Sequence, residues 1–267
     1  MEGQGRRCEV LALLACCAAG CLEPTEVEPV LQSDETSTGE PVDAGSTEAA
    51  PDVPTLPMLR CPTPPGHTGS PHTITEAVAH IQALPSPVDV PCVLESLARP
   101  LPIVSTSSVF SAQPGIGERS PRVFLMFDEL ILSVSTEGDG ARLLEFAEFT
   151  DPLTTIKAEL EFPLEAETLV IEDAFTKVEH SGGTACRFCH RNEQPVDPAL
   201  YPGAFSSDSL APKQNTLVEL EVVRMYADAC DRSEDAYRCD MFDALFAGEV
   251  VSSSFPEHIP TIFDYED

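Results

Sequence analysis

Ile156-Lys157-Ala158-Glu159-Leu160-Glu161-Phe162 alternates apolar and charged residues without a break. Successive side chains of a strand point to opposite faces. A period of two therefore puts Ile156, Ala158, Leu160 and Phe162 on one buried face and Lys157, Glu159 and Glu161 on the other. Segments 123–127, 130–134 and 143–149 also read as strands, and Glu137-Gly138-Asp139-Gly140 between the last two supplies turn chemistry for a hairpin. Residues 103–175 are thus expected to form an antiparallel sheet or small sandwich.

Helical patterns flank this sheet. Thr73-Ile74-Thr75-Glu76 is a capping-box sequence, and Ile74, Val78, Ile81 and Leu84 follow at helical spacing before Pro85. A second short helix is expected over 92–98, completing a helical segment at 59–102. Near the C-terminus Leu217, Leu220, Val223 and Ala227 share a helical face. Ser233, two acids and then Met241, Phe242, Leu245 and Phe246 before Gly248 read as a capped helix with a glycine stop. The fold class is α+β: short N-terminal helices, a central antiparallel sheet, and a helical module over 176–267. Asp231, Ser233 and Asp235 alternate like the start of a calcium loop. Ala236 stands at the turn glycine and Phe242 at the closing carboxylate, so a helix cap is the expected role. His67, His72 and His80 read as solvent-facing.

The first twenty-one residues bear on the compartment. Arg6 and Arg7 precede a short apolar run that ends in Ala18, Ala19 and Gly20 before Cys21. The run is too short to span a bilayer. The pattern resembles a bacterial lipoprotein signal peptide over 1–20, which implies cleavage before Cys21, acylation of that cysteine, and membrane attachment through the lipid. The expected location is the cell envelope, outside the cytoplasm. Leu22, where an aspartate would imply retention at the inner membrane, points to the outer one. Residues 21–58 are acidic and rich in Pro, Thr and Ser, with no basic residue before Met58, so a disordered tether is expected. It would reach about 100 Å if polyproline-like and roughly 35 Å as a coil. The chain carries 45 Asp and Glu against 15 Lys and Arg, a formal net charge of -30, which disfavours nucleic acid as a partner.

Export changes the reading of the cysteines. Cys61, Cys92, Cys186, Cys189, Cys230 and Cys239 remain after the leader and the lipidated residue are set aside. Cys61 is expected to pair with Cys92, and Cys230 with Cys239, because each pair lies within one helical section. Cys186-Arg187-Phe188-Cys189-His190 is C-x-x-C-H. It resembles the haem-attachment motif of c-type cytochromes, and the 77 residues after His190 resemble the span of a small cytochrome c module. The resemblance implies haem c bound by thioether links from Cys186 and Cys189, with His190 as proximal iron ligand. Where such cytochromes carry a methionine before proline, this chain has Ile259-Pro260. His258, Met241 and Met225 are therefore the candidate sixth ligands, with five-coordination as the alternative.

Other chemistries compete for the same residues. Cys186 and Cys189 are also spaced for a local disulfide, or for zinc with His190 and one of His180, His258 or Glu193. A thioredoxin-type role lacks its βαβ frame. No hydrolase or nucleotide-binding motif is present, so no catalytic residue is assigned. Two functions follow: a tethered haem electron carrier or haem sensor, whose acidic surface suits a basic redox partner, and a disulfide-stapled envelope lipoprotein acting as a binding or structural module.

Overall fold

The computed structural model describes residues 60–264 apart from Ala112; the leader, Cys21 and the whole tether region over 21–58 lie outside the described residues. In chain order the elements are α1 (Ile74–Gln82), α2 (Val90–Ser96), β1 (Leu101–Thr106), β2 (Arg122–Phe127), β3 (Leu130–Ser135), β4 (Leu143–Asp151), β5 (Thr154–Glu161), α3 (Ile171–Thr176), β6 (Glu179–His180), β7 (Gly183–Thr184), β8 (Gln194–Pro195), β9 (Phe205–Asp208), β10 (Leu217–Val218), α4 (Leu220–Asp228), α5 (Ala236–Leu245) and β11 (Val250–Ser252). The fold is α+β, as the patterning predicts.

The helices form where caps and apolar periodicity coincide. Thr73 accepts a hydrogen bond from the Glu76 N–H at the start of α1, while the Glu76 carboxylate reaches back to the His72 N–H at 2.7 Å. Asp89 caps α2 through the Cys92 N–H, with Pro91 in the first turn, where a missing N–H costs nothing. Asp235, and not Ser233, caps α5 through the Arg238 N–H; Ser233 instead donates to Asp231 in a local turn. Cys61–Cys92 and Cys230–Cys239 are disulfides, as expected from the sequence.

His80 corrects the solvent-facing expectation. It is 3% exposed, because its place on α1 turns it toward α2 instead of outward. Ser96 Oγ donates to the Val93 carbonyl at 2.7 Å and so must accept from His80 Nε2 at 2.8 Å. Burial lowers the His80 pKa to about 4, with the neighbouring His67 acting in the same direction.

Nine strands form one sheet in the order β10-β1-β2-β3-β4-β5-β9-β8, with β11 also on β1. All ladders in it are antiparallel except β1 with β11. The outer edge of β1 is shared: Leu101–Ile103 pair with β11 and Ser105–Thr106 with β10. The C-terminal region is therefore helical only in part, since it also contributes strands to the central sheet. The register Leu125↔Leu132, Leu132↔Phe146 and Phe146↔Ala158 aligns one apolar face across β2 to β5. α1, α2 and α5 bury their apolar residues in the same core, including Met241 and Phe242. No helix among the described residues is long and apolar enough to cross a membrane.

Candidate functional site

The opposite face of the sheet is covered as well. Phe124, Ile131 and Val104 form a second apolar cluster, with Ala147, Phe149 and Phe255 packed against it. Between this face and the segments around 106–111, 177–190, 209–213 and 255–263 lies a cavity of about 390 Å³. That volume is within the usual range for a small-molecule or cofactor site. The sequence held a signal for this second covered face: 123–127 and 130–134 are apolar at nearly every position, the mark of strands buried on both sides.

The C-x-x-C-H segment forms one wall. The β6–β7 hairpin turns on Ser181 and Gly182, both at positive φ, and delivers the chain to Thr184. Thr184 N and Oγ1 donate to the Glu193 carboxylate, and Thr184 Oγ1 accepts from the Cys186 N–H at 3.2 Å. A Cβ at Gly183 would push the Glu193 carboxylate away from Thr184. A short 3₁₀ turn, Ala185–Phe188, follows, and the His190 N–H returns to the Cys186 carbonyl at 2.8 Å. Cys186, Cys189 and His190 consequently line the cavity, whereas Phe188 points away and is 73% exposed.

The thiols of Cys186 and Cys189 are unpaired. Burial pushes the Cys186 thiol pKa up, partly offset by Thr184. His190 Nδ1 lies 2.7 Å from the Asp208 carbonyl oxygen. A carbonyl only accepts, so Nδ1 carries the proton and Nε2 keeps its lone pair. Burial, aided by the Lys157 charge, lowers the His190 pKa to about 3, so the ring is neutral at physiological pH. Two thiols able to add to an alkene and one imidazole able to ligate a metal thus face one volume.

The cavity floor carries charges that the alternation at 156–162 places on a supposed outer face. Lys157 is buried, and desolvation lowers its pKa to about 8. Glu145 and Glu159 stand directly opposite each other on β4 and β5. Burial first, and the Glu145 charge second, raise the Glu159 pKa to about 7. Arg122 ties Glu145 to Ser111 and Ser133, and its guanidinium lies 4.6 Å from the centre of the Phe124 ring. Arg122, Glu145, Lys157 and Glu159 are not singled out by any motif, because their convergence depends on strand register.

The three candidate sixth ligands lie elsewhere. Met241 is fully buried in the helical core on the other side of the sheet, Met225 is 54% exposed on α4, and His258 bonds the Pro152 carbonyl at 3.0 Å; none lines the cavity. His180 meets the Phe188 ring at a tilt, with centres 5.6 Å apart, and among the described residues no group of three or more His, Cys, Asp and Glu is arranged to hold a metal ion. No protein-family model, curated protein or solved structure matches this chain.

Proposed function

We propose that this protein is an extracytoplasmic, lipid-anchored haem c protein, an electron carrier or haem sensor, whose haem occupies the cavity beside the sheet. One observation carries the reading: both thiols of the C-x-x-C-H segment are unpaired, and they line a single cavity with an imidazole whose Nδ1–H is already taken by a backbone carbonyl. A metal-bound histidine needs such a partner to fix its tautomer and ring orientation. The residues fit the group. Cys186 and Cys189 would hold it covalently, His190 Nε2 would ligate iron, and the aromatic wall of Phe124, Phe149 and Phe255 would exclude water from it. When bound, the haem supplies reversible one-electron chemistry or a vacant iron position for a ligand.

The compartment is proposed from the leader and Cys21: an outer-membrane lipid anchor, an acidic tether, and a folded body held clear of the bilayer. The chain's charge of -30 suits a basic redox partner. Co-expression with a haem-attachment apparatus is expected to give a covalent haem stain and the mass increment of one haem. Cys186→Ser with Cys189→Ser abolishes both, and His190→Ala keeps the links but alters the visible spectrum. A colourless wild-type product overturns the haem reading and leaves the disulfide-stapled binding module.

A further inference from the structure

The lining of the cavity bears on what the iron would meet on the side away from His190. Two protein ligands generally suit a haem for electron transfer, whereas one histidine and an accessible pocket suit it for binding small molecules. Among the described residues that line the cavity, His190 is the only histidine, and no methionine is present. Met126, two residues from Phe124 on β2, pairs across the strands with Ile131 and packs against the apolar cluster, but it is not among the lining residues.

Part of the remaining wall is apolar. Phe124, Ile131, Ala147, Phe149 and Phe255 give an apolar lobe, which stabilises a neutral occupant and penalises a charged one. Of the charges that reach the cavity, Arg122 pairs with Glu145 and Lys177 with Glu161, while Lys157 meets the Thr155 hydroxyl and the Asp208 carbonyl and Glu159 is held largely neutral by burial, with a pKa of about 7. At the rim, Phe110 meets Phe263 edge-on at 5.5 Å, and Lys213 sits 4.7 Å from the Phe263 ring centre. Phe110 and Phe263 are 66% and 54% exposed, so the cavity's rim there is apolar and open to solvent.

We infer that this cavity is a binding site for a small neutral diatomic molecule, held between the apolar lobe of Phe124, Ile131, Ala147 and Phe149 and a haem ligated by His190 alone. The inference rests on the haem reading above and separates its two branches in favour of a sensor. The probe is carbon monoxide, titrated into the reduced, haem-loaded full-length protein and followed by absorption and resonance Raman spectra.

The expected result is a high-spin five-coordinate spectrum before the gas is added and a single saturable transition to a low-spin one as it binds. Ala147→Leu, which adds volume to the lobe, should weaken carbon monoxide binding about tenfold, or about 1.4 kcal/mol, with covalent haem content unchanged. Met126→Leu should leave both spectra as they are. A low-spin six-coordinate spectrum without the gas, indifference to it, or unchanged affinity in Ala147→Leu overturns the inference while haem remains attached. Absence of covalent haem overturns the underlying reading instead.

Discussion

Glu159 shows how a residue's meaning depends on what covers its strand. In the sequence it is one of three charges alternating with apolar residues, which ordinarily marks a solvated face. Segments at 177–190 and beyond fold over that face, and Glu145 comes to stand opposite, so the Glu159 pKa rises to about 7. Between the ordinary carboxylate pKa and 7 the folded protein then holds a proton that the unfolded chain has released. Stability must therefore fall as pH rises through that window. Glu159→Gln should flatten the dependence, leaving the variant more resistant to urea than the parent at pH 8 and little different at pH 4.5. An unchanged slope between those pH values would remove the buried carboxylate pair as its cause. His80 acts in the opposite direction, since its lowered pKa makes stability fall as pH drops from about 6.5 toward 4.

At the scale of elements, legibility followed locality. The helix start at Thr73 rests on a contact three residues away, and the strands around 123–162 rest on a period of two; both are visible in sequence, whereas α5 is capped by Asp235, two residues beyond the expected Ser233. What joins β4 to β5 on the cavity side, or brings Asp208 to His190, depends on register and on loops that no short pattern encodes. Sequence therefore located Cys186, Cys189 and His190 but not the floor beneath them. The disulfides are elements of the same local kind. Cys61–Cys92 spans a sequence separation of 31 and Cys230–Cys239 one of 9. Loop-closure entropy assigns them about 3.7 and about 2.6 kcal/mol. Paired Cys→Ser substitutions are expected to reproduce that order in chemical denaturation, with Cys61 and Cys92 the costlier pair.

For the whole molecule, acidity is the dominant electrostatic fact. An excess of thirty negative charges repels itself in the folded state, and added salt screens that repulsion. The melting temperature is expected to rise when sodium chloride goes from about 10 mM to about 0.5 M. A fall would mean that ion pairs such as Arg122–Glu145 outweigh the net charge.

The shared edge of β1 has a consequence in time. Its neighbours β10 and β11 come from the last fifth of the chain, and the segment after β11 roofs the cavity with Phe255 and Phe263. A polypeptide emerging N-terminus first, from a ribosome or a translocation pore, presents the thiol couple while that roof is still inside the exit. Synthesis itself thus opens an interval in which Cys186 is reachable from the side those residues later cover, whereas Cys189 stays exposed in the finished fold.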